Sequence, residues 1–155
     1  MALYTPKGQL LADFENVFSG EPWYGESILT ILERVSPDQA MKPVGEKRIY
    51  TVLLHILAWR GYLLRQLQGE TEYDITDSAV DWPVYQHEGA AAWPRAVTSL
   101  KENQQQVLTL LRNLSEEQLM DTVPLRNFSL AFLINGVIQH DVYHVGQIAL
   151  LQKLA

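Results

Sequence analysis

Histidines are the residues of this chain best placed to do chemistry. The 155-residue sequence contains four of them, His55, His87, His140 and His144. His140 and His144 are four positions apart, so on a helix their β-carbons lie about 6 Å apart on one face and one metal ion can bind both rings. Both fall within an apolar stripe that continues through Val137 and Ile148. Buried imidazoles need polar partners, and a metal ion is one such partner.

A third imidazole can come from His55 or from His87. His55 lies on the apolar side of another predicted helix, between Val52 and Trp59, whereas His87 is flanked by polar residues and a glycine. A single histidine on an apolar face is more often a hydrogen-bonded core residue, but three on two helices favour a metal. We choose His55 because a helix restricts its side chain, while a loop residue adds an ordering cost to ligation.

Three imidazoles without a fourth protein ligand would form an open metal site of the catalytic type, in which water or a substrate atom occupies the remaining positions. The sequence has no cysteine, which excludes thiolate metal sites, disulfides and a cysteine nucleophile. It also lacks the Glu-x-x-His pattern of di-iron carboxylate proteins and the His-Glu-x-x-His pattern of metalloproteases.

Other candidate residues have weaker signals. Tyr143 and Gln147 lie beside His144 on the helix and could bond to a metal-bound water or to an imidazole, or could be surface or dimer contacts. Asp141 points about 100° away from His140 around the helix axis. Its carboxylate is therefore suited to a salt bridge or to a hydrogen bond with a side chain that binds the metal. Three tryptophans could line a pocket over the metal or could pack in the core. These are Trp23, Trp59 and Trp82.

The elements that must position these residues are helices. A helix is predicted from Thr5 as N-cap through Phe18, with a break at 19–22 and a resumed period over 23–35. Capping-box patterns at 36–39 and 115–118 each indicate a short helical turn. Longer helices are predicted at 49–67, 91–114 and 129–154, and residues 68–90 are predicted to form a long loop.

Length and patterning predict one domain, residues 1–155, with an all-α fold. Four long amphipathic helices indicate a four-helix bundle. If the long loop crosses the bundle from end to end, the second and third helices run parallel in up-down-down-up order rather than as a simple meander. The sequence shows no signal peptide, and its longest uncharged apolar run falls short of the roughly 20 residues of a membrane-spanning helix. We therefore expect a cytoplasmic protein without a membrane partner.

Charge bears on the choice of partners. Lys and Arg number 12 against 18 Asp and Glu, for a net charge of -6, and no dense basic block is present. This balance predicts that nucleic acid is not a partner. The expected partner is a small-molecule substrate.

Residues 139–148, QHDVYHVGQI, resemble the last-helix signature of the DinB-like superfamily, which includes bacillithiol and mycothiol S-transferases. The segments around His55, 23–27 and 81–83 support the resemblance over nearly the whole chain. It implies a four-helix bundle and a divalent ion, often zinc or nickel, held by His55, His140 and His144. Together with an exposed helix face, it also implies a homodimer.

Two functions remain open from the sequence. One is an enzyme of the hydrolase or thiol S-transferase type, in which the metal activates water or a low-molecular-weight thiol as co-substrate. The other is a non-catalytic, dimeric metal-binding module of the stress response.

Overall fold

The computed structural model describes residues 6–76, 78–86 and 88–155. Within these residues the secondary structure is seven α-helices and one 3-10 turn, with no strand beyond two isolated bridges. The elements are α1 (Lys7–Ser19), α2 (Ile28–Glu33), α3 (Pro37–Met41), α4 (Ile49–Leu67), α5 (Ser78–Asp81), α6 (Ala92–Asn113), the 3-10 turn (Gln118–Met120) and α7 (Leu130–Leu154). The prediction of an all-helical chain is confirmed.

Apolar periodicity and capping residues account for the helix ends. The predicted helix at 49–67 is found with the same bounds as α4, and α6 and α7 begin one residue later than predicted. Ser129 caps α7 by accepting a hydrogen bond from the backbone N–H of Phe132. Ser36 and Gln39 form the predicted capping box before α3.

The N-terminal third departs from the predicted pattern. Helix α1 begins at Lys7, and Thr5, the predicted N-cap, lies outside the described residues. Of the stretch 23–35, only Ile28–Glu33 is helical, because the Ser27 side chain caps the helix there. The polar and glycine-rich residues before Ser27 leave the chain as turns and loop.

The segment 68–90 is also more ordered than predicted. It contains α5, a single helical turn that packs against α4. A four-residue helix is too short to show an apolar period, so the sequence pattern does not reveal it. Helix α5 matters because its last residue, Asp81, lies beside His55.

The four longest helices share one apolar core. Helix α4 packs against α6 and α7, and α1 packs against the same two helices. Leu53, Ile56, Leu100 and Ile148 are among the fully buried residues. In the part of the chain that is described, no helix is both long and apolar enough to cross a membrane.

A buried ion pair joins two of these helices. The Arg60 Nε atom donates to Asp141 Oδ2 at 2.7 Å, and both side chains are about 1% exposed. Arg60 also donates to Gln104 Oε1, which ties α6 to the pair. Burial raises the pKa of Asp141 to about 6, and the Arg60 guanidinium opposes this rise. Of the two roles considered for Asp141, the structure shows the salt bridge.

Candidate metal centre

Three histidines from two helices meet at one point. His55 lies on α4, and His140 and His144 lie one turn apart on α7. One potential ligand atom from each ring lies within 4.8 Å of the others. His55 and His144 are buried and His140 is half-buried. His87, the alternative to His55 as the third ligand, lies outside the described residues.

The tautomer of His55 is fixed by its surroundings. Its Nδ1 lies 2.6 Å from the backbone carbonyl oxygen of Asp81, which can only accept a hydrogen bond, so Nδ1 carries the hydrogen. With Nδ1 as the donor, Nε2 is the nitrogen of His55 that can accept a hydrogen bond or bind a metal ion. It lies at hydrogen-bonding distance from His140 Nε2, 2.9 Å away.

His144 is held in the same way from its own helix. Its Nδ1 donates to Gln147 Oε1 at 3.0 Å, one turn further along α7. The remaining nitrogen, Nε2, is free to act as a ligand. A histidine that donates one N–H to a protein oxygen and presents the other nitrogen is typical of metal sites.

The spacing of the two facing nitrogens fits a shared ion. Zinc–imidazole distances are about 2.0–2.1 Å, so two ligands of one ion lie about 2.9–3.4 Å apart for angles between square and tetrahedral. The observed 2.9 Å between the Nε2 atoms of His55 and His140 falls at the lower end of this range. His140 Nδ1 is buried and has no hydrogen-bond partner among the described residues. The donor set therefore fits a divalent transition metal.

Burial favours the uncharged form of two of the three rings. Burial, together with the neighbouring His144 and His55, lowers the pKa of His140 to about 3. Burial also lowers the pKa of His144, with His55 and Lys47 acting in the same direction and the Gln147 hydrogen bond against it. Neutral imidazoles need not lose a proton before they bind a metal.

Two of the three predicted tryptophans surround the cluster. Trp82 stacks on His55 with ring centroids 3.8 Å apart and planes 6° from parallel. The Trp59 ring lies 5.5 Å from that of His140, and its Nε1 donates to Asp81 Oδ1 at 2.7 Å. Trp23, by contrast, is fully exposed between α1 and α2 and lines a separate cleft beside Tyr24 and Val142. Its loop ends before α2 and leaves the ring in solvent.

The two polar residues predicted beside His144 differ in placement. Gln147 bonds to the imidazole, as described above. The Tyr143 ring lies edge-on to His144 at 4.9 Å, and the residue is exposed.

Sequence reasoning missed two contributors to the centre. Asp81 contacts His55 through its backbone carbonyl, and its carboxylate lies 3.3 Å from the same Nδ1. Lys47 places its Nζ 4.8 Å from the centroid of the Trp82 ring. Asp81 could have been found from the sequence, because it directly precedes the candidate residue Trp82. Nothing in the sequence pattern singles out Lys47.

Comparison with known families decides the classification. The model of the DinB superfamily matches residues 25–148, which is most of the chain and includes all three histidines. The chain belongs to the DinB superfamily. The resemblance inferred from residues 139–148 is thereby confirmed. No curated protein matches the chain.

A solved structure shares the fold of this DinB-superfamily chain. It is the colibactin self-resistance protein ClbS in complex with a dsDNA, with a TM-score of 0.68 and 18% sequence identity. The match covers 98% of both chains.

This neighbour corrects the expectation about partners. The net charge of -6 and the lack of a basic block predict that nucleic acid is not a partner. A protein with the same fold is in complex with double-stranded DNA, so that exclusion is wrong. Net charge is an average over the whole surface, and it does not describe any one face of the molecule. The expected homodimer stays a prediction.

Proposed function

We propose that the protein is a metal-dependent enzyme in which His55, His140 and His144 hold one divalent ion, zinc, nickel or a similar metal. The observation that carries the proposal is the convergence of three imidazoles with ligand atoms within 4.8 Å of one another. When bound, such an ion lowers the pKa of water or of a low-molecular-weight thiol, so that either becomes a nucleophile near neutral pH. The reaction is accordingly of the hydrolase or thiol S-transferase type.

The protein's own groups prepare this site. The Asp81 carbonyl and the Gln147 amide orient His55 and His144, so that each presents a lone pair. Trp82 covers one face of His55 and limits the access of water from that side. Tyr143, exposed beside His144, is the residue proposed to contact the substrate, and Gln147 acts as a positioning residue.

We place this site in a four-helix bundle with up-down-down-up order, in one domain spanning residues 1–155. Contacts at both ends of the helices support the parallel arrangement of α4 and α6. Tyr50, near the start of α4, donates a hydrogen bond to Glu88, which lies just before α6. Gln66, near the end of α4, lines a surface cleft together with Leu114, which follows the end of α6. Leu130, at the start of α7, lines that cleft as well, which supports an antiparallel α7.

The test is activity in matched metal-loaded and metal-free protein. Samples loaded with zinc or nickel are assayed for ester hydrolysis and for conjugation of glutathione or bacillithiol to a chloronitrobenzene. The proposal expects metal-dependent turnover in one of the two assays and its loss in His140→Ala. Stoichiometric metal binding without turnover in either assay would favour the non-catalytic metal-binding module.

A second candidate function is binding of double-stranded DNA, which the fold shared with the DNA-bound ClbS supports. Fluorescence anisotropy of a labelled 20-base-pair duplex tests it at about 50 and 200 mM salt. Binding that weakens steeply with salt indicates phosphate contacts and supports this function. Constant anisotropy up to high micromolar protein at the lower salt concentration contradicts it.

A further inference from the structure

An apolar cleft lies directly beside the three-histidine cluster. Its volume is about 300 Å³. It is lined by Trp59 from α4, by Phe128 from the loop just before α7, and by residues from the first three turns of α7. The α7 residues are Phe132, Leu133, Gly136, Val137 and His140. His140 therefore belongs both to the cleft and to the metal centre.

The lining is that of a ligand pocket. Small-molecule sites are mostly apolar and aromatic clefts with a few polar groups, and 300 Å³ is at the lower end of their size range. The Phe128 and Phe132 rings are 5.2 Å apart, and Phe132 is exposed, so the cleft opens to solvent beside an aromatic pair. Because Trp59 Nε1 already donates its hydrogen bond to Asp81, Trp59 contributes only apolar ring surface to the cleft. His140 is then the one titratable group in the lining.

We infer that this cleft binds the apolar ring system of the molecule on which the metal centre acts. This inference rests on the proposed function and names its substrate class, a thiol that carries a compact apolar group. The volume of about 300 Å³ lies at the lower end of the range for small-molecule sites, so the apolar group is compact. We take two fused aromatic rings as the probe of such a group.

Gly136 allows the cleft to be blocked without touching a ligand of the metal. It lies within α7 and lines the cleft, and a Cβ at this position would meet no atom within 4 Å. A leucine at this position extends into open space, and replacing a helical glycine also favours the helix by up to about 1 kcal/mol. Gly136→Leu should therefore fold. Gly8→Leu is the matched control, because Gly8 is a helical glycine on α1 with equally open surroundings and lies outside the cleft.

The first arm of the test uses metal-free protein and 2-naphthol, with binding measured by calorimetry. The cleft predicts that Gly136→Leu weakens 2-naphthol binding at least ten-fold and that Gly8→Leu leaves it within two-fold. Equal binding by wild type and Gly136→Leu, or no binding by wild type, would overturn the inference.

The second arm uses Co²⁺-loaded protein and compares 2-naphthalenethiol with 2-mercaptoethanol through the cobalt absorption spectrum. The inference predicts that Gly136→Leu raises the concentration of the aromatic thiol needed to change the spectrum at least ten-fold, and leaves that of 2-mercaptoethanol within two-fold. Equal responses of wild type and Gly136→Leu to the aromatic thiol would contradict it. If Co²⁺ does not bind at all, the proposed function fails, while the 2-naphthol arm still decides whether the cleft is a binding site.

Discussion

The Nδ1 atom of His55 donates a hydrogen bond to the backbone carbonyl oxygen of Asp81 across 26 positions of sequence. This contact fixes the tautomer of a ring that faces His140, and it joins the short helix α5 to the proposed metal centre. Trp59 supports it from one turn further along α4 by donating to the Asp81 carboxylate. The orientation of one ligand thus depends on a turn within the segment between α4 and α6.

Trp59→Phe tests this support. The substitution keeps an aromatic ring but removes the Nε1 donor, which leaves α5 less firmly held. We expect metal affinity to fall about ten-fold, as for other groups that orient metal ligands, and the free energy of unfolding to fall by about 1 kcal/mol. Competition titration with a chromophoric chelator and urea denaturation measure the two effects. Trp23→Phe is the matched control, because Trp23 is fully exposed, and equal effects of both substitutions would contradict the role of Trp59.

Gln147 provides a second test of ligand positioning. Gln147→Leu removes the acceptor for His144 Nδ1–H, so the ring can rotate and exchange tautomers. We expect metal affinity to fall about 10- to 100-fold. Gln147→Glu retains an acceptor oxygen and should restore most of that loss. Indistinguishable affinities for Gln147→Leu and wild type would show that this hydrogen bond does not position the ring.

The buried ion pair of Arg60 and Asp141 should matter for stability. Arg60→Met leaves a carboxylate buried without its charge partner, and we expect the free energy of unfolding to fall by about 3–5 kcal/mol. The double substitution Arg60→Met with Asp141→Leu removes both charges and should recover most of the loss. Urea denaturation of metal-free protein measures both. A double variant as unstable as the single one would show that the pair's geometry, and not the unpaired charge, is the cause.

Acid should destabilise the metal-free protein through His140. Its pKa is about 3 in the folded chain and about 6.5 when unfolded, so the unfolded state binds the proton first. This group's contribution to stability is therefore complete above about pH 6.5 and is lost progressively as the pH falls toward 3. Asp141 acts in the opposite direction between about pH 4 and 6, because its folded pKa is raised. The comparison of wild type with His140→Leu isolates the histidine.

Urea denaturation at pH 7 and at pH 4.5 makes that comparison. The loss of stability between the two pH values should be larger in wild type than in His140→Leu. An equal loss in the two proteins would show that His140 titrates normally in the folded state.

The longer elements were predictable because their signals are local and repeated. Helix α4 shows seven apolar positions at spacings of three and four, and α7 adds a capping serine, so both were located to within a residue. The placement of His55, His140 and His144 on apolar stripes then predicted their convergence in one core.

The remaining features depend on contacts between distant parts of the chain. Asp81 lies in a four-residue helix whose position is set by Trp59 and His55, and no local period marks it. Arg60 and Asp141 are 81 positions apart, and only packing reveals that they pair. Trp23 shows that a local pattern can also mislead. It lies where the apolar helical spacing begins again in the sequence, but the helix itself begins only at Ile28, and Trp23 is fully exposed.

The most direct test is a metal titration of four single histidine variants. Zinc affinity is measured by chelator competition for wild type, His55→Ala, His140→Ala, His144→Ala and His87→Ala. We predict that wild type binds one ion per chain. Each of the first three variants should lose at least 100-fold in affinity, because two imidazoles bind a divalent ion much more weakly than three. His87→Ala should change the affinity by no more than a few fold. Retention of wild-type affinity by any of the first three, or a loss confined to His87→Ala, would contradict a centre formed by His55, His140 and His144.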